Sequence, residues 1–217
     1  MKKTLPFFCL LALSGLTLSA QTQPRTPDFQ TTEKSSVHLP APGVPAGLKT
    51  IYSNLGSGDD RYNSETGWTI IGPTWEGDGI SELFAIAFTP KSNAHVTEVL
   101  AAILYGGSGD NQVNLSIYSD SDDVPGTLLA GPVTVANLAP NGTCCALAVA
   151  NFPPLAVTAG TQYWLVANTP TTGTGSDFYG AWAASPKLLQ QALKSGSGWE
   201  VFDCYVEAAG AVIGTIP

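Results

Sequence analysis

The sequence predicts an all-β domain: an antiparallel two-sheet β-sandwich of jelly-roll type with one short helix near 185–195. Three observations carry this. Only 12% of the 217 residues are charged, while 23 are glycine and 16 proline, a composition of strands and turns. About ten short apolar runs recur, with turn residues every eight to twelve positions. Several runs alternate: Val113, Leu115 and Ile117 point one way and Asn114, Ser116 and Tyr118 the other, the two-residue period of a half-buried strand.

In chain order, Met1-Lys2-Lys3 is a positive n-region, and Leu5–Leu18 is an apolar stretch too short to span a bilayer. Small residues in Thr17-Leu18-Ser19-Ala20 suit cleavage after Ala20, so residues 1–20 read as a signal peptide. Cys9 lies deep in the apolar stretch behind Phe7-Phe8, a poor lipidation site, and no lipoprotein is expected. Residues 21–48 hold Pro24, Pro27, Pro40, Pro42 and Pro45 among polar residues and read as a disordered tether. Residues 49–217 form the single domain, of a length that permits a real core.

Within the domain, Thr50–Leu55 reads as the first strand. Gly67–Gly79 holds a short apolar piece, and Glu82–Thr89 and Val96–Tyr105 are further strands. The glycine-rich Gly106–Asn111 leads into the strand at Val113, so those two strands are expected to form a hairpin. Ser119–Gly126, SDSDDVPG, is a turn into a second apolar run, Thr127–Leu138, interrupted at Gly131-Pro132 as suits an edge strand or bulge. Thr143–Phe152 follows and is broken by Pro153-Pro154. Gln162–Asn168 and Asp177–Ala183 are strands. Ser185–Lys194 reads as a helix: Ser185 caps it, Pro186 suits its first turn, Gly196 its end, and Leu188, Leu189, Ala192 and Leu193 form a stripe. Trp199–Glu207 closes the domain, with the first and last strands expected side by side.

Phe88-Thr89-Pro90, the strand Val96–Leu104, Leu115–Asp120, Pro125–Leu129 and Leu155–Asn168 carry a resemblance to a known family. In the order of these pieces the chain resembles the bacterial exported choice-of-anchor β-sandwich domains of the R type, over roughly residues 49–208. The resemblance implies an exported domain, usually followed by a C-terminal sorting or anchoring tail, and implies no established catalytic residues. Ile213–Pro217 offers no apolar tail followed by basic residues, so secretion or periplasmic residence is the expected location.

Formal net charge is −8, and removal of Lys2 and Lys3 takes it to −8 − 2 = −10. Such a surface repels phosphate backbones and anionic lipid heads, so no nucleic acid partner is expected, and no later stretch is apolar enough to be a transmembrane segment. The expected partners are a glycan or another envelope protein. Cys144, Cys145 and Cys204 remain after cleavage. Strand alternation favours a Cys145–Cys204 disulfide; a vicinal Cys144–Cys145 bond and three free thiols are the alternatives.

No cofactor and no metal site is expected. Asp120, Asp122 and Asp123 are the calcium candidate, ahead of Asp59-Asp60, weighed against a polar turn whose Asp and Ser bond local amides. Trp164 sits in an apolar strand and reads as core. Trp68, Trp75, Trp182 and Trp199 lie beside glycines or loops, where exposed indoles would stack on sugars with Glu76, Asp78, Asp177 and Glu200 nearby; the competing reading is that they plug the ends of the sandwich. Catalysis has little support. His95 is the domain's only histidine and no G-x-S-x-G elbow accompanies it, while nothing fixes the separation of Glu65, Glu76, Asp78 and Glu82 for glycoside hydrolysis. Asn141-Gly142-Thr143 reads as a turn. The expected function is a non-catalytic exported module with an envelope or extracellular interaction role. A carbohydrate-binding module is the first alternative and a secreted glycan-active enzyme the second.

Overall fold

Alternating apolar runs need a second layer to bury against, and the chain supplies it as two antiparallel sheets. The computed structural model describes residues 29–30, 39–40, 42–58, 61–75, 79, 81–195 and 198–217, with the side chains of 29–30, 187–189, 195 and 202–206 outside that description. The proposed signal peptide, most of the tether, Glu76 and Asp78 lie outside the described residues. In chain order the strands are β1 (Phe29–Gln30), β2 (Lys49–Ser53), β3 (Asn63–Ile71), β4 (Glu82–Phe88), β5 (Ala94–Ala101), β6 (Ile103–Ser108) and β7 (Gln112–Ser121). There follow β8 (Val124–Ala136), β9 (Ala148–Val157), β10 (Tyr163–Asn168), β11 (Tyr179–Ser195), β12 (Gly198–Ala208) and β13 (Gly210–Thr215). The large sheet runs β1-β3-β11-β4-β10-β7-β8, with β6 and β12 also paired to β11. The small sheet runs β2-β13-β5-β9, so the strand beside the domain's first is β13, which the sequence reading lacked, whereas Trp199–Glu207, expected there, lies in β12 of the large sheet.

The core fills the space between the sheets by the two-residue period. Phe84, Ile86 and Phe88 of β4, Leu115 and Ile117 of β7 and Leu165 of β10 meet Val96, Val99 and Val212 of the small sheet. The opposite faces carry smaller apolar clusters: Ala85, Trp164, Val166 and Ala192 on the large sheet, and Leu100, Ala211 and Ile213 on the small one.

The two sheets are joined where strands change sheet. The run expected as one strand from Val96 divides at Ala102, which sends β5 to the small sheet and β6 to the large one. β12 and β13 divide likewise at Ala209. Ala102 N–H donates to Ala209 O (2.9 Å), Ala209 N–H to Ala183 O (2.8 Å), and Ala183 N–H to Ala102 O (2.8 Å). Three buried alanines thus close a ring of backbone bonds at the corner, where a larger side chain has no space.

The hairpin through the acidic run forms as read. Ser121 pairs with Val124, and the two-residue turn Asp122-Asp123 has φ of 54° and 63°, both left-handed, the primed turn that matches strand twist. Its neighbour β10 pairs with β7 over Tyr163–Asn168.

The helix is not present. Residues 179–195 are strand β11, whose first part pairs with β3 and β6 and whose last part, Gln191–Ser195, pairs with β4 and β12. Positions 188, 189, 192 and 193 fit a helical stripe, but Leu188 and Leu189 pair with β12 and Gln191–Ser195 with both β4 and β12, and those ladders outweigh an isolated turn of helix. Pro186 falls in the register shift between Ala184 and Leu188, where a missing N–H is tolerated. The expected β6–β7 hairpin is absent too: past the crossing at Ala102, β6 has already been delivered to β11, and β7 pairs with β8 and β10. Pro153-Pro154 does not break β9, because β9 is an edge strand with one side unpaired.

Two pieces of the segment read as a tether are placed on the domain. Phe29-Gln30 pairs with Gly67-Thr66, and Leu39 bonds the Cys144-Cys145 peptide, its N–H to Cys144 O (2.6 Å) and its carbonyl from Cys145 N–H (3.0 Å).

Candidate functional site at the aromatic rim

The four tryptophans singled out in the sequence go to three places. Trp68 and Trp182 are cross-strand neighbours, at 2% and 0% exposure, packed about Phe84, with Trp182 Nε1–H donating to Ala209 O (2.8 Å). Their faces belong to the core and are closed to a sugar. Trp199 is half-buried on the outer face of the large sheet, against Ala85, Trp164, Val166 and Ala192. Trp164 is buried as expected, but on that outer face, with Nε1–H donating to Asp120 Oδ1 (2.8 Å). Trp75 stands apart at the rim.

The rim around Trp75 is built by close backbone approach. Gly72-Pro73-Thr74-Trp75 is a tight turn, with Pro at its second position and Trp75 N–H donating to Gly72 O (3.1 Å). It is stitched to the loop before β11: Gly72 N–H donates to Phe178 O (2.8 Å), Thr74 N–H to Ser176 O (2.9 Å), and the Thr74 and Ser176 hydroxyls lie 3.2 Å apart. A Cβ on Gly72 would stand 2.1 Å from Ser176 O, so only glycine fits there. The turn sets the Trp75 ring on Tyr179, with centroids 4.8 Å apart and planes 15° from parallel. Beneath, Tyr179 lies against Gly106, where a Cβ would fall 2.1 Å from its Cδ1. Trp75 is therefore half-buried in a stack that Tyr179 and Gly106 support.

Two carboxylates share this rim. Asp177 Oδ1 accepts from Asp110 N–H (3.0 Å), and Asp110 Oδ2 accepts from Gly175 N–H (2.9 Å). Each locks a loop with one oxygen, and the other oxygen has no partner among the described residues. Thus Trp75 and Asp177 come together at one rim, with Tyr179, Gly106 and Asp110, which no sequence pattern marks, beside them. A stack between residues over a hundred positions apart leaves no local pattern.

The remaining candidates scatter. Asp120 Oδ1 accepts from Trp164 Nε1–H and Gln162 Nε2 (3.0 Å), and Asp122 and Asp123 form the turn, so the acidic run is occupied by the hairpin itself. Among the described residues no three of His, Cys, Asp and Glu are grouped to hold a metal ion. His95 is exposed on β5, opposite Thr215 and Ala156. Glu65 is half-buried near the start of β3, whereas Glu82 is buried at the start of β4. Glu200 is exposed on β12, opposite Leu193. Cys145 is bonded to Cys144, the vicinal arrangement, in place of the favoured Cys145–Cys204 pairing. Residues 143–147 precede β9 and are not paired as strand, so the alternation argument had no strand to act on, and the Cys204 side chain lies outside the described residues. Thr143 is buried within the Asn141-Gly142-Thr143 turn.

A second polar cluster escaped sequence reading. Glu207, fully buried near the end of β12, accepts from Tyr52 Oη (3.2 Å) and from Asn54 Nδ2. Asn54 also donates to Ala208 O (2.7 Å) and accepts from Gly210 N–H (2.7 Å), while Gln191 Oε1 accepts from Ala208 N–H (3.2 Å). Burial, and then the Glu207 charge, push the Tyr52 hydroxyl well above its ordinary pKa of 10.0. The cluster pins the sheet crossing and is lined by strand backbone, so its chemistry is structural.

No family model matches the chain, and neither a curated protein nor a solved structure matches it. Among the described residues no helix is long and apolar enough to cross a membrane.

Proposed function

We propose that this chain is a non-catalytic, exported β-sandwich module with a cell-envelope or extracellular interaction role, and that the Trp75 rim is its recognition surface. The observation that carries the reading is the supported Trp75–Tyr179 stack. Trp68 and Trp182 are spent on packing, whereas Trp75 is held at the rim by a turn and two glycines with no room for a Cβ. A rigid aromatic on stitched loops loses little entropy on binding, which is how recognition surfaces on β-sandwiches gain affinity.

The test uses the chain from Gln21 onward and sedimentation with insoluble bacterial envelope fractions. The wild type is expected in the pellet and the Trp75→Ala variant in the supernatant, with equal thermal midpoints showing that both are folded. Retention of neither protein by any fraction, or equal retention of both, would overturn the reading.

A further inference from the structure

We propose that the rim takes a neutral hexopyranose whose hydroxyls are equatorial, stacked on Trp75 with Asp110 and Asp177 accepting from its hydroxyls; this rests on the reading of the rim as the recognition surface. Three features select that ligand class. The first is the flat, supported indole. Trp75 is half-buried with one face on Tyr179, and an indole face is a negative π-surface to which polarised C–H groups bind. A pyranose with equatorial hydroxyls presents an uninterrupted C–H face of that kind and sends its hydroxyls outward along the ring plane.

The second is the pair of carboxylates at the same rim. Gly175 N–H and Asp110 N–H each hold one oxygen, which fixes both groups and leaves a second oxygen on each as acceptor. Hydroxyls donate to such acceptors in charge-assisted bonds. The third is sign. Two carboxylates on a chain of formal charge −8 disfavour uronates, sulfated sugars and phosphates.

The measurement is a titration followed through the Trp75 indole N–H signal by NMR, with methyl β-glucopyranoside and glucuronate as probes. Neutral sugar is expected to shift that signal saturably with a millimolar Kd, and glucuronate to bind at least about fivefold more weakly. Trp75→Ala, which lacks the indole reporter and is followed by the Asp110 and Gly175 amide signals in both proteins, should lower affinity for neutral sugar at least about fivefold, the factor that ~1 kcal/mol of stacking is worth. Asp110→Asn and Asp177→Asn keep an amide oxygen for the loop bond and replace the free acceptor with a donor. Each should weaken binding severalfold with an unchanged melt. No saturable shift at 100-fold the expected Kd, equal binding of glucuronate, or full affinity in Trp75→Ala overturns the inference. Loss of sugar binding alongside Trp75-dependent sedimentation would overturn the ligand class and leave the recognition surface standing.

Discussion

Glu98 shows how a single residue can carry a cost that its strand hides. It lies in β5 between Ile213 and Asn151, on the face shared with Leu100, and is 8% exposed. Burial pushes its carboxyl above the ordinary 4.5. The sign follows from linkage. Below the unfolded value the group is protonated in both states and stability is at its fullest. As pH rises through the unfolded and then the folded value, the unfolded chain ionises more readily and that stability is lost. Glu98→Gln should therefore raise the thermal midpoint at pH 7, with the gain shrinking toward zero as pH falls below about 4. Melts of the two proteins across pH 3–8 check it; a pH-independent difference would contradict it. Trp75 shows the other side of residue-scale reading. Its neighbouring glycines marked it in the sequence, but its support on Tyr179 arises only when β3 and β11 meet.

At the scale of elements, local chemistry was legible wherever the element was self-contained. The hairpin β7–β8 is specified by the alternation of Val113–Tyr118 and the polar turn that follows, so it is legible without its partners. The turn is not optimised: Asp122 and Asp123 both adopt φ above 50°, which costs a non-glycine residue about 1 kcal/mol. Asp123→Gly should stabilise the domain by roughly 0.5–1 kcal/mol, read from urea denaturation with an unchanged slope. A loss of stability would mean that the carboxylate, which lies 3.4 Å from Gln162 Nε2, matters more than the backbone. The segment 185–194 was illegible for the opposite reason. Its capping residues and spacing fit a helix locally, and pairing with the next strand, β12, and with β4 from roughly a hundred positions upstream makes it a strand. The same holds for Gly106–Asn111, which reads as a hairpin loop until β6 is seen to pair with β11.

The whole molecule depends on the crossings at Ala102 and Ala209, where one run of residues serves both sheets. Sequence alternation foretold two layers but not this corner, because alanines in apolar runs carry no mark of a change of sheet. The ring Ala102–Ala209–Ala183 is bounded by fully buried side chains, with Trp182 Nε1–H bonded to Ala209 O and Asn54 bonded to Ala208 O and Gly210 N–H on either side. An enlarged side chain at the centre must push Trp182 or the Asn54–Glu207 cluster aside. Ala209→Leu is therefore expected to cost about 1–3 kcal/mol by overpacking, whereas Ala→Leu at the exposed Ala136 on the edge strand β8 should stay within about 0.5 kcal/mol. Because both sheets hang on the corner, the loss should appear as one cooperative transition at lower denaturant. Hydrogen exchange should show the Ala102, Ala183 and Ala209 amides opening at the global rate in the wild type. If Ala209→Leu instead releases the small sheet alone, with the β4, β7 and β10 amides still protected, the corner is a local joint and the two sheets fold as separable units.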